Sequence, residues 1–227
     1  MMRAPVAPRP VSKQISLILH GDVLDPWSWI AEKRIAIAAD ELHGRFTPIA
    51  HALLARRWEA RAPSAVERRT RARELKRAAR EPDAPPFSTE LWSSAGHGPC
   101  SSAPALVAIA AAGLQGRAAE AVLREAVREA ALVRGLDVTR ADVLVEIAGR
   151  AGLDLGRFVP ALEAPGTERA LLDDIADAAD RGIERSPSLV IGDDWMVVGL
   201  RSLRDYRLVL KRYLAMRAGT PVEHTVH

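Results

Sequence analysis

The chain has 227 residues, 48% hydrophobic and 4% aromatic, with a formal net charge of +3. That length suits one domain carrying a large insertion better than two full domains, and an alanine-rich, aromatic-poor composition points to closely packed helices. The lone cysteine, Cys100, excludes an internal disulfide and fits a reducing cytoplasm. The longest apolar run, around Ala103–Leu114, is broken by Pro104 and Gly113 and is too short to span a membrane.

Residues 1–13 hold three prolines and no apolar h-region, which reads as a loose tail. Ile15–Leu19 is a short apolar run expected to form a buried strand. Asp25 is a natural N-cap and Pro26 suits the first helical position, so a helix should run from there to about Leu42 and close at Gly44. Phe46–Leu54 reads as a second strand, with Pro48 placing its start at an edge or bulge. Strand, helix and strand this close together suggest a parallel βαβ unit.

Charge is concentrated next. Residues 56–80 hold ten Lys/Arg against three Glu, a local +7 that leaves −4 for the rest of the chain. Ser64-Ala-Val-Glu67 matches a capping box and opens a basic helix ending before Pro82. Arg69, Arg73, Arg77 and Arg80 recur at helical spacing, as a phosphate-binding stripe would. The interleaved Glu67 and Glu74 and the absence of aromatics within the helix favour a solvated face instead, so nucleic-acid binding is disfavoured.

A Pro/Ser/Gly-rich loop covers 82–102. Within it His97 and Cys100 have the spacing to bring an imidazole near a thiol, although a free cysteine is more often a small buried hydrophobe. No combination here makes a metal site. Helices are expected near 103–113, 117–134, 139–151, 155–163 and 167–181, with Thr139 and Thr167 as caps and Gly135, Gly152 and Gly182 as stops. Ser188–Ile191 and Met196–Val198 flank Gly192-Asp193-Asp194, a hairpin signal. A last amphipathic helix over about 202–215 places Leu203, Tyr206, Val209, Leu210 and Tyr213 on one face.

The order β-α-β, helical block, β-β-α predicts an α/β fold: a thioredoxin-like sheet (14–60 and 183–216) interrupted by a helical insertion (61–182), with tails at 1–13 and 217–227. Asp25-Pro26-Trp27-Ser28-Trp29 after the first strand resembles the active-site turn of the DsbA-like superfamily, Cys-Pro-Trp-Cys-Tyr in its usual form. It also resembles the Ser-Pro-Tyr-Ser of kappa-class glutathione transferases and 2-hydroxychromene-2-carboxylate isomerases. Ser186-Pro187-Ser188-Leu189-Val190-Ile191 is similar to the family segment whose proline is cis and faces that turn. Leu114-Gln115-Gly116, Gly135 and Gly152-Leu153-Asp154 resemble its helical insertion.

The resemblance puts Asp25 where relatives keep a nucleophilic Cys or a thiolate-holding Ser, and Ser28 where they keep the second Cys or Ser. A carboxylate there is favoured by the helix terminus, but it cannot exchange disulfides. It can also be no more than the helix cap. Ser28, with no evident His partner, is a poor nucleophile. Trp27 and Trp29 fall on opposite sides of the helix start, one for the core and one for the groove, or both for the core. What the resemblance implies is glutathione or another small thiol or thiol conjugate bound between Asp25-Pro26-Trp27-Ser28 and Ser186-Pro187, for a kappa-like transfer or isomerisation. The alternatives are a non-catalytic binding or scaffold protein and, less favoured, a basic-helix nucleic-acid adaptor. A homodimer is left open, and no membrane partner is implied.

Overall fold

The computed structural model describes residues 14–53, 63–93, 99, 101–192 and 194–218. His97, Cys100, Leu54 and nearly all of both expected tails lie outside these residues. A four-stranded mixed sheet runs in the order β2-β1-β3-β4, formed by β1 (Leu17–Gly21), β2 (Ala50–Leu53), β3 (Ser188–Ile191) and β4 (Trp195–Val198). β1 pairs parallel with β2 and antiparallel with β3, and β3 pairs antiparallel with β4. The apolar run of β1 therefore lies between two neighbouring strands. Leu17 and Leu19 pack with Leu189 and Ile191 against α1 (Pro26–Asp40) and α9 (Leu203–Arg217), where Ile35, Tyr206, Leu210 and Tyr213 complete one core.

The second core belongs to the helical block: α2 (Ala65–Ala78), α3 (Glu90–Ser93), α4 (Ala103–Gly113), α5 (Arg117–Arg128), α6 (Ala141–Arg150), α7 (Leu155–Glu163) and α8 (Pro165–Asp180). Its centre is α4, where Ala105, Leu106, Ala108, Ile109, Ala111 and Ala112 are all fully buried. Small side chains let its neighbours approach closely, which accounts for the alanine-rich composition. The expected thioredoxin-like α/β fold is the one observed. No helix among the described residues is long and apolar enough to cross a membrane.

Several boundaries differ from expectation for local reasons. β2 starts at Ala50 rather than Phe46. Pro48 has no N–H to give the ladder, so Phe46 keeps only an isolated bridge to Ile15. Thr139 does not cap α6, because its amide and hydroxyl both bond Asp137 Oδ1. Thr167 does not cap α8, which opens at Pro165, and its hydroxyl donates instead to the Ala161 carbonyl. After α5 the backbone widens into a π-helical turn at Glu129–Val133. The Pro/Ser/Gly-rich loop contains α3, whose Leu91 and Trp92 are buried. The last helix runs on to Arg217, two residues past the expected end.

Two features fix the elements that carry the site. In the β3–β4 hairpin Gly192 has φ +62, and a Cβ there would fall 1.8 Å from the Tyr213 hydroxyl oxygen. On α1, Arg34 is 6% exposed and donates to both Asp83 carboxylate oxygens (2.9 and 2.5 Å), to Glu81 (2.6 Å) and to the Arg201 carbonyl (2.9 Å). One guanidinium thus ties the helix to the segment after α2 and to the start of α9. Arg34→Met should lower unfolding stability by about 2 kcal/mol, below the range for fully buried pairs because both carboxylates are partly solvated. Urea denaturation would measure it, and a loss within error of zero would mean the clamp is idle.

Candidate functional site

The site begins where β1 ends. Asp25, in extended conformation, caps α1, and its Oδ1 accepts from the Trp27 amide at 3.3 Å. Its Oδ2 accepts from the Ser28 hydroxyl at 2.8 Å and from the Ser186 hydroxyl at 2.9 Å, 161 residues away in sequence. The Ser186–Pro187 peptide is cis. The two segments singled out in the sequence therefore meet: Asp25 caps the helix and sits opposite the cis-proline loop.

Their contact encloses the carboxylate. Asp25 and Ser28 are 0% exposed, and Pro26 and Pro187 are buried. Among the described residues, three donors converge on the one carboxylate, an arrangement suited to an anion. It has no surface from which to reach a substrate. Among the described residues Ser28 donates to a carboxylate, a weaker base than an imidazole, so its oxygen is poorly activated. Trp29 packs inward, 5.8 Å from the Phe87 ring, and its Nε1 donates to Glu125 at 3.2 Å. Trp27 stays half-buried at the surface beneath the guanidinium of Arg77, 6.0 Å from the ring centroid.

Open space lies beside the same turn. A cleft of about 240 Å³ is lined by Asp22, Leu24, Arg71, Glu74, Trp92 and Ser102 among others. At its floor Asp22, 1% exposed, accepts from the Leu24 amide at 2.8 Å and from the Ser102 hydroxyl at 2.6 Å, which joins the turn to the start of α4. Asp22 went unrecognised in the sequence, although Asp-x-x-Asp flanking a strand-to-helix turn was visible there. Gly21 went unrecognised as well. A Cβ on it would lie 2.8 Å from Ser28 Oγ, so only glycine lets that hydroxyl settle against the strand.

Buried charge frames the site on both sides of the sheet. Glu32 of α1 contacts Arg128 and, at 3.4 Å, Arg124 of α5. His51 Nε2 of β2 lies 3.0 Å from the same carboxylate, out of line for a hydrogen bond. Burial alone would raise the Glu32 carboxyl, but contact with His51 and the two arginine charges hold it well below the usual range. His51 is lowered, chiefly by burial and further by Arg124 and Arg128, against the pull of Glu32. His20, on the opposite face of β1, is 5% exposed, and among the described residues neither ring nitrogen has a hydrogen-bond partner. Burial and then the Arg181 charge lower its pKa.

With this geometry in place the comparisons are informative. A model of the DSBA-like thioredoxin domain matches residues 17–211. The chain belongs to that family. Among solved structures, it is similar to a candidate protein disulfide isomerase from Nitrosomonas europaea (TM-score 0.79, 19% identity, 90% of this chain and 99% of that one). It is also similar to the cytosolic disulfide reductase DsbM from Pseudomonas aeruginosa (0.66, 21%, 88% and 99%), which has been solved with GSH as well. A 2-hydroxychromene-2-carboxylate isomerase aligns with TM-score 0.64 at 17% identity, over 90% of this chain and 98% of that one. These likenesses concern the fold. A curated relative, the ClpXP adapter protein SpxH of Halalkalibacterium halodurans, is 33% identical over 88 residues, which are 39% of this chain and 29% of that protein.

Two outcomes follow for this DsbA-like site. Gly21→Ala should displace the Ser28 hydroxyl from Asp25 and cost about 1–3 kcal/mol, as expected for a buried polar group left poorly paired; thermal melting would show the loss. The second concerns pH. Both histidines have folded pKa values below the ordinary 6.5, so the unfolded chain binds protons there that the folded chain refuses. Stability is then full above about pH 6.5 and falls as pH drops through that value toward the folded pKa. His20→Asn should flatten the decline between about pH 6.5 and 5, and an unchanged slope in urea titrations would contradict this.

Proposed function

We propose that this protein is a binding member of the DsbA-like family that does not carry out dithiol–disulfide exchange at its active-site turn. It takes a small thiol or thiol conjugate, glutathione first among them, in the cleft beside Asp22 and Leu24. The observation that carries this reading is the enclosed Asp25 carboxylate, held by the Ser28 and Ser186 hydroxyls at 0% exposure. Oxygen has replaced sulfur at both working positions, and an oxygen cannot enter a thiol–disulfide exchange. The cleft presents both signs of charge through Asp22, Glu67, Arg71 and Glu74, which suits a zwitterionic peptide such as glutathione. A structural neighbour having been solved with GSH supports the same probe.

The transfer or isomerisation reading needs residue 25 in contact with the bound thiolate. The enclosure of Asp25 favours binding without that step. The 88-residue likeness to an adapter protein supports a scaffold role in the same direction. The single cysteine, outside the described residues, is consistent with a cytoplasmic location.

Thermal melting with glutathione and S-methylglutathione tests the reading. At 100 times its dissociation constant a ligand should stabilise the fold by ~2.7 kcal/mol. No shift with either compound at millimolar concentration would remove the ligand from the proposal. Measurable reduction of insulin disulfides by the wild-type chain would remove its other half. Asp25→Cys places a thiol at the α1 terminus, where its pKa should fall below the ordinary ~8.5; a pH titration of the thiolate's ultraviolet absorbance, which needs no access to the sulfur, would show an ordinary value if the helix terminus has no influence.

A further inference from the structure

The basic helix α2 carries two sequence features that argue against a polyanion site: carboxylates between its cations, and no aromatic side chain. The helix geometry answers the first and the tertiary structure the second. Arg69, Arg73, Lys76 and Arg77, together with Arg80 just past the helix end, are all exposed. At 3.6 residues per turn these five fall within an arc of about 100° around the helix, over a length of about 16 Å. Glu67 and Glu74 lie about 140–160° round from Arg69 by the same arithmetic.

Both glutamates are engaged away from the stripe. Glu67 accepts from the Ser64 amide at 2.8 Å in the capping box, Glu74 pairs with Arg71 at 2.9 Å, and both line the cleft. Among the described residues, no carboxylate lies within ion-pairing distance of any of the five cations. The missing aromatic comes from another element: Trp27 of α1, half-buried, lies under Arg77 at the stripe's edge.

We propose that this face binds single-stranded nucleic acid, the cations following the phosphates and Trp27 offering its ring to an unstacked base. A one-sided line of cations leading to a flat aromatic surface is the arrangement that holds single strands with little sequence preference. A duplex keeps its bases stacked and cannot use the ring. An acidic polypeptide would satisfy the charges but has no π-face for the indole. The surface is separate from the thiol cleft, so the two assignments stand or fall independently.

The test is fluorescence anisotropy of a labelled mixed-sequence DNA strand of about 15 nucleotides across about 20–200 mM salt. Five phosphate contacts predict a slope of log K against log salt near −3.5. The triple change Arg69→Glu, Arg73→Glu and Arg80→Glu should reduce that slope by about 2 and weaken binding at the lowest salt by roughly tenfold or more. Trp27→Leu should weaken binding while leaving the slope unchanged, since stacking releases no counterions. Far-UV circular dichroism and the melting temperature verify that each variant folds. The proposal is overturned by no binding at the lowest salt, by a folded triple variant with wild-type affinity, or by duplex bound as tightly as single strand. Displacement by poly-glutamate as effective as by unlabelled oligonucleotide would overturn it too, and would identify an acidic protein surface as the partner.

Discussion

The end of the molecule where β1 passes into α1 depends on one shared carboxylate. Asp25 closes the N-terminus of α1 through the Trp27 amide, and its other oxygen takes hydroxyls from Ser28 on the helix and Ser186 on the loop beyond the insertion. A buried carboxylate is tolerable only when its lone pairs are satisfied. The loop holding Ser186 must therefore stay against the helix start. Asp25 thus adds a side-chain tie between the two parts of the sheet, beside the backbone ladder of β1 and β3.

Other contacts make the helical block part of the same support. Asp22 receives the Ser102 hydroxyl and so joins the turn to α4. Glu32, on the second turn of α1, receives Arg124 and Arg128 from α5. Arg34, about half a turn further on, grips Glu81 and Asp83 after α2. The turn is thus tied to α4, and the helix that follows is held on two sides by charge-assisted bonds, which fix orientation more sharply than apolar packing does. The cleft is shaped by these ties: its walls are α2 and the entry to α4, and its floor is the Asp22 turn.

Much of the local structure could be read directly. The Asp25-Pro26 helix start, the Ser64–Glu67 capping box and the Gly192 hairpin depend on residues close together in sequence, and each appears as expected. Failures occurred where a side chain had a nearer partner than the one assumed, as when Thr139 turned to Asp137 and Thr167 to Ala161. Gly21 could not be read as a site residue because the atom it accommodates, Ser28 Oγ, reaches it only once the turn is folded.

By itself the sequence determined which chemistry is absent: with oxygen at positions 25 and 28, no dithiol can form at this turn in any conformation. It also determined the order of elements and hence the α/β class. Only the tertiary structure decided that the two oxygens bond to each other and to Ser186, leaving no exposed carboxylate. It alone brought Trp27 to the basic face of α2. The reason is physical. Capping and turn formation act over a few residues, whereas the partner of a buried charge is chosen among groups that chain folding brings together from far apart in sequence.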